Sequence, residues 1–122
     1  MLRGHKDLKV YQLAYKLAME IFNESKAFPK EERYSLTDQI RRSSRSVAVN
    51  IAEAFWKRRC PNMFVSKLTD SDAEATETQV WVDFAHDCGY LSQKRRDELL
   101  SGYEQVGKML GSMMAQPEKF KP

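Results

Sequence analysis

The sequence predicts an all-α fold, an antiparallel up-down-up-down four-helix bundle built as one domain over residues 1–122. Three observations predict it. Apolar residues recur at three- and four-residue spacing along four long stretches, the period of a helix with one buried face. The five glycines and four prolines sit at a few places instead of being spread as in an all-β chain. The composition, 42% apolar and 30% charged, is that of a globular protein, and 122 residues suffice for one core and not for two.

The first helix is expected over about residues 7–27, with Val10, Leu13, Ala14, Leu17 and Ile21 as its inward stripe. Pro29 ends it, because a residue before proline avoids the helical region. The second helix is expected over about 35–58. Ser35 and Asp38 stand at capping-box spacing, and Leu36, Ile40, Ser43, Val47, Ile51, Ala54 and Phe55 face inward. Pro61 suits the first turn of a third helix, expected over about 62–88. Its inward residues are Phe64, Leu68, Ser71, Ala75, Thr78, Val82 and Ala85, and Gly89 is placed to cap it. Small side chains at Ser43, Ala54, Ser71, Ala75 and Thr78 imply that the second and third helices approach closely. Ser92 opens a fourth helix over about 92–115, carrying Leu99, Tyr103, Val106, Leu110 and Met113. Pro117 stops it, and Glu118–Pro122 is expected to fray. Connections this short imply sequential antiparallel packing.

Three helices carry apolar residues beyond the stripe a lone bundle needs. Tyr11, Tyr15, Ala18 and Phe22 form a second line on the first helix. Ala48, Val49, Ala52 and Trp56 do so on the second, and Val80, Trp81 and Phe84 on the third. Helices apolar on two sides are usually buried on two sides. Tyr11, Tyr15, Phe22, Val49, Trp56, Val80, Trp81 and Phe84 are therefore the candidate interface of a homo-oligomer. The alternative is that large aromatics overhang a small core.

The net charge is only +3, but it is unevenly distributed. Arg33–Arg59 holds seven basic residues and two acidic ones, whereas Leu68–Gln93 holds six acidic residues and no basic one. Arg41, Arg42, Arg45, Lys57, Arg58 and Arg59 are the candidate nucleic-acid contacts, since guanidinium forks match phosphate geometry and a cationic face is the electrostatic mark of such binding. Two other uses compete. The basic helix pairs with the acidic helix of its own chain, or with that of a neighbouring subunit in a head-to-tail ring.

Catalytic chemistry is not indicated. The chain has no phosphate-binding glycine loop, nucleophile elbow or metal-spaced cysteine pair, so no metal, no cofactor and no enzyme activity are expected. His86 near Asp83 and Asp87 makes a poor metal site. Asn50 and Glu53, on the flank of the second helix, are read as structural polar residues bonded to the next helix or subunit. Cys60 and Cys88 suit a reducing compartment as free thiols. The N-terminus lacks the apolar stretch of a signal peptide and no run is long enough to span a bilayer. A cytoplasmic protein without membrane contact is expected.

The string Phe28-Pro29-Lys30-Glu31-Glu32-Arg33-Tyr34-Ser35-Leu36-Thr37-Asp38-Gln39-Ile40-Arg41-Arg42-Ser43-Ser44, followed by Val47 and Asn50-Ile51-Ala52-Glu53, resembles the bacterial family named for the 23S ribosomal RNA intervening sequence, also called the S23 ribosomal protein family. The resemblance runs on through Glu77-Thr78-Gln79, Cys88-Gly89-Tyr90-Leu91 and Lys108-Met109-Leu110. It departs at Ala54, where the family often has glycine. The resemblance implies an antiparallel four-helix bundle commonly assembled as a homopentamer. The function expected from the basic second helix is that of a non-catalytic oligomeric bundle associating with RNA or ribonucleoprotein through that face; the alternative is a structural or adaptor ring that binds a protein partner without nucleic acid.

Overall fold

The computed structural model describes residues 2–122. Four helices, α1 (Lys9–Ser25), α2 (Leu36–Phe55), α3 (Pro61–Asp87) and α4 (Gln93–Ala115), are joined by short turns, and no strand occurs among the described residues. Each helix packs on the next in sequence and α4 returns onto α1, while the diagonal pairs do not meet. Every neighbouring pair is antiparallel. Ser25 meets Arg41 and His5 meets Trp56 across α1–α2; Ser43 meets Thr78 and Asn50 meets Lys67 across α2–α3. Asp83 meets Arg96 and Thr69 meets Met114 across α3–α4, while Glu24 bonds Arg95 across α1–α4. Partners that rise on one helix as they fall on the other give the up-down-up-down order.

The core is the four inward stripes, completed at the bundle's ends by Leu8, Phe28 and Leu91. The α2 residues Ile40, Val47 and Ile51 and the α3 residues Leu68 and Val82 are at most 1% exposed. Full burial of side chains of this size contributes roughly 1.5–3 kcal/mol each. The α2–α3 seam is closed by small polar residues. Thr78 Oγ1 donates to Ser43 Oγ at 2.8 Å, and Ser71 Oγ donates to the Val47 carbonyl at 2.8 Å. Each hydroxyl buried between the helices is thereby satisfied.

The helix ends depart from expectation in three places, each for a local reason. The first helix begins at Lys9 because the Asp7 carboxylate accepts the Arg3 and Gly4 amides, closing a 3₁₀ turn over His5–Asp7. The second ends at Phe55, not Arg58, because Arg58 turns back to donate from Nε to the Phe55 carbonyl at 2.8 Å. Its start is not capped by Ser35. Glu32 takes that role, accepting Ser35 Oγ at 2.6 Å and the Leu36 amide at 3.4 Å. Ser92 and Gly89 behave as expected. Ser92 Oγ accepts the Arg95 amide, and Gly89, at φ 84°, closes α3 with the Tyr90 amide on the Ala85 carbonyl. The tail does not fray. Pro117–Phe120 forms a 3₁₀ turn, the Phe120 ring lies 5.5 Å from that of Phe64, and Arg58 Nη1 donates to the Phe120 carbonyl at 3.2 Å.

The α1–α4 approach is set by Gly102. A Cβ built there falls 2.5 Å from Leu17 Cδ2 and 3.0 Å from Cδ1, and Leu17 is a core residue only 4% exposed. Gly102→Ala is therefore expected to destabilise by about 1–3 kcal/mol from overpacking, partly offset by helix propensity. Gly111→Ala, where a Cβ meets nothing within 4 Å, is expected to stabilise by about 0.5–1 kcal/mol. Denaturant melts of the two variants should differ in sign. The Tyr103 hydroxyl, fully buried, has no hydrogen-bond partner among the described residues. Tyr103→Phe should raise stability by about 1 kcal/mol, because an orphan buried group is removed without leaving a hole. At the other end, Tyr90 Oη donates to Glu32 Oε2 at 2.9 Å, and that carboxylate pushes the phenol up to about 12. Ultraviolet titration should show one tyrosine ionising near that pH, and Glu32→Gln should return it toward its ordinary 10.0. Conversely, Ser35 and then Tyr90 hold the Glu32 carboxyl below its ordinary 4.5. The stability it contributes is present above that value and is lost as pH falls through the lowered one.

Candidate functional site

The second apolar lines of α1 and α2 meet in one groove. Ala18, Ala48 and Ala52 form its floor, and Tyr11, Tyr15, Met19 and Val49 its walls, around a volume of about 420 Å³. Arg45 and Glu53 stand at its rim. The alanines give the groove its depth, since Ala18 and Ala48 are themselves buried between the helices. Tyr15 and Val49 each keep more than half of their surface in solvent.

The remaining interface candidates divide. Val80, Trp81 and Phe84 lie together on the outer face of α3, with the Trp81 and Phe84 rings 5.9 Å apart and Val80 and Phe84 exposed. Trp81 Nε1 donates to Glu77 Oε2 at 3.3 Å, which fixes the indole on that face. Phe22 lies under a cationic roof, with Lys26 Nζ at 4.9 Å, Arg41 at 4.9 Å and Arg45 at 5.8 Å from its centroid. Trp56 stands apart from the groove at the C-cap of α2, where its Nε1 donates to His5 Nδ1 at 3.1 Å.

The six basic candidates do not form one patch. Arg41, Arg42 and Arg45 lie in the first half of α2, while Lys57, Arg58 and Arg59 lie in the turn beyond it, roughly 20–25 Å away at 1.5 Å per residue. Arg58 is spent on the Phe55 and Phe120 carbonyls and stacks 3.8 Å from the Phe55 centroid. Among the described residues, the basic side chains of α2 form no ion pair with the acidic ones of α3. Among the described residues none of the six is in an ion pair, and neither are Asp70, Glu74 and Glu77 of α3. The bridges present lie elsewhere. Arg95 holds Glu20, Glu24 and Glu98, Arg96 holds Asp83 and Asp97, and Lys67 of α3 reaches Glu53 of α2 at 3.6 Å. Burial, with Glu77 and Asp70 adding repulsion, pushes the Glu74 carboxyl above its ordinary range, as befits a cluster of anions without counter-charge.

Asn50 donates from Nδ2 to the Ser46 carbonyl at 2.9 Å and accepts from Lys67 Nζ at 3.3 Å. With Glu53 it forms a polar stitch between α2 and α3. Cys60 and Cys88 are exposed free thiols at opposite ends of α3. His86 meets Asp87 at 3.0 Å, and the described residues contain no cluster of three metal-ligating side chains. No helix among them is long and apolar enough to cross a membrane.

The fold and these paired faces define a small all-α bundle with unpartnered outer surfaces. Residues 6–112 match the family model described as 23S rRNA-intervening sequence protein, and the chain belongs to that family. It is similar to a protein of unknown function from the S23 ribosomal protein family of Bacteroides thetaiotaomicron VPI-5482, whose crystal structure was determined at 1.70 Å. The two share 25% identity, with 87% of this chain and 95% of that one covered and a TM-score of 0.78. No match is found among curated proteins.

Sequence reasoning missed Met19 as a wall of the groove; its place four residues after Tyr15 was the signal that could have found it.

Proposed function

We propose that the chain is a non-catalytic binding protein that works as a closed homo-oligomeric ring and associates with RNA or ribonucleoprotein. The observation that carries the ring is the placement of two unpartnered faces. The Ser43–Thr78 bond sets Arg42 and Arg45 at the same height along the bundle as Glu74 and Glu77, yet no ion pair joins them among the described residues. A rotation about an axis parallel to the helices preserves height. It brings the α1–α2 groove with its arginines against the acidic, aromatic outer face of a neighbour's α3. That contact is heterologous and closes into a ring. It covers the apolar surface, and it supplies the missing counter-charges to both sides. Five subunits is the number that family resemblance implies.

On this reading Arg41, Arg42 and Arg45 belong to the subunit seam. The association with RNA rests on the remaining unpaired cations, repeated in every subunit, and on the family's kinship with ribosomal RNA insertions. The free thiols at Cys60 and Cys88 fit a reducing compartment such as the cytoplasm.

Light scattering tests the ring, and a monomer at high concentration would defeat it. The chain carrying Arg42→Glu and Arg45→Glu should dissociate, as should the chain carrying Glu74→Arg and Glu77→Arg. Joining all four substitutions in one chain should restore assembly, since every interface is then inverted. Each variant should keep its helical circular dichroism. Binding of RNA at low salt tests the second half of the proposal. Its absence from the intact ring would leave the ring as an adaptor for a protein partner.

A further inference from the structure

One end of the bundle gathers three segments far apart in the sequence. The leading segment folds over the α2–α3 turn, where Gly4 abuts Trp56 and His5 accepts the Trp56 indole N–H. The C-terminal tail is tied to the same turn by Arg58 on the Phe120 carbonyl and by Phe120 on Phe64. Arg59, Lys121 and Pro122 border one depression, and Lys9, Lys108 and Phe120 another.

This end is strongly basic. Residues 3–9, 57–59 and 117–122 hold eight basic residues and two acidic ones, and the rest of the chain holds twelve basic and fifteen acidic. Both acids are already engaged. Asp7 accepts the Arg3 and Gly4 amides, and Glu118 holds Lys121 at 3.6 Å. Arg3, Lys6, Lys9, Lys57 and Arg59 are in no ion pair among the described residues. At the margin stands Trp56, 65% exposed and fixed edge-on by Phe55 at 5.0 Å and by His5. The opposite end carries no such excess, because Arg95 and Arg96 are consumed by carboxylates there.

We infer that this end of the bundle is a docking surface for the phosphodiester backbone of a single-stranded nucleic acid, with Trp56 as a stacking platform for a base. The inference rests on the ring reading above and names the surface that reading leaves open. Unpaired cations around a fixed, exposed aromatic are the elements of sequence-tolerant single-strand binding. In a ring about an axis parallel to the helices, every subunit turns this end to the same side. The charge is then multiplied on one rim, and phosphate contacts on successive subunits add. Arg58 acts as a positioning residue here. It holds the tail lysines beside the turn and is not itself free for phosphate.

The test uses the full chain with fluorescent single-stranded RNA and DNA oligonucleotides of the same length, titrated over a range of salt concentrations. Light scattering follows assembly in each variant. Lys57→Ala, Arg59→Ala and Lys121→Ala together should weaken binding at least tenfold, and flatten the log–log salt dependence by about 0.7 unit for each phosphate that is no longer neutralised. The ring should stay intact. Trp56→Ala should weaken binding by about tenfold and leave the salt slope unchanged, as expected for the removal of a stacked base partner. RNA bound more tightly than DNA identifies the natural strand as RNA, and the reverse identifies DNA; either supports the surface. Unchanged binding in the triple variant overturns the inference and leaves nucleic-acid association to another face. Failure of the wild-type ring to bind either strand at low salt overturns both the inference and the RNA half of the proposed function, while the ring itself stands on its own measurement.

Discussion

The seam between α2 and α3 governs this molecule. Ser43, Ser71, Ala75 and Thr78 are buried there and are too small to hold two helices apart. The hydroxyls answer one another and the Val47 carbonyl, so close approach leaves no polar group stranded. A core this narrow in the middle has no space for large aromatics on the outer faces of the helices. Tyr15, Trp56 and Phe84 accordingly stand in solvent although their helices are well packed beneath them.

The same seam fixes register. Once Ser43 meets Thr78, every residue of α2 has a set height relative to α3, including the arginines of one and the carboxylates of the other. These charges share a level, yet they form no ion pair with each other among the described residues. Glu74, partly buried and next to Glu77 and Asp70, has its carboxyl pushed up. The bundle tolerates this because exposed charges are well solvated, and surface pairs contribute only about 0–1 kcal/mol in any case. The separation therefore costs the monomer little and leaves two complementary faces available.

The two ends of the bundle are finished differently. At one, Glu32 gathers Ser35, Leu36 and Tyr90, joining the α1–α2 and α3–α4 connections through a single carboxylate. Arg95 does similar work nearby with three glutamates. At the other end the anchors are Arg58 and Phe120, and the bonds go to backbone carbonyls and rings instead of carboxylates. Arg3, Lys6, Lys9, Lys57 and Arg59 there are in no ion pair among the described residues. The asymmetry lies in what each end uses as glue.

The inward stripes of all four helices are legible in the sequence because burial follows helical periodicity, and Val10, Ile51, Leu68 and Leu110 need nothing but spacing to be placed. The α3 stop at Gly89 and the α4 start at Ser92 are legible for a similar reason, since each depends on a few consecutive residues. Spacing misassigns the cap at Ser35 because Glu32, three residues before it, competes for the same donors and is held in place by Tyr90 from a distant loop. It also suggests a single basic patch, because adjacency in sequence is not adjacency in space and a helix of this length carries its two ends far apart. By itself, then, the sequence determined which side of each helix is inward and where most helices stop, both being local properties of a periodic chain. Only the tertiary structure decided that, among the described residues, the α2 arginines and Asp70, Glu74 and Glu77 of α3 are in no ion pair, that two apolar lines merge into one groove, and that both termini bring their lysines and arginines to the α2–α3 turn. Those outcomes depend on register and on contacts between residues more than fifty positions apart, such as His5 with Trp56 and Arg58 with Phe120.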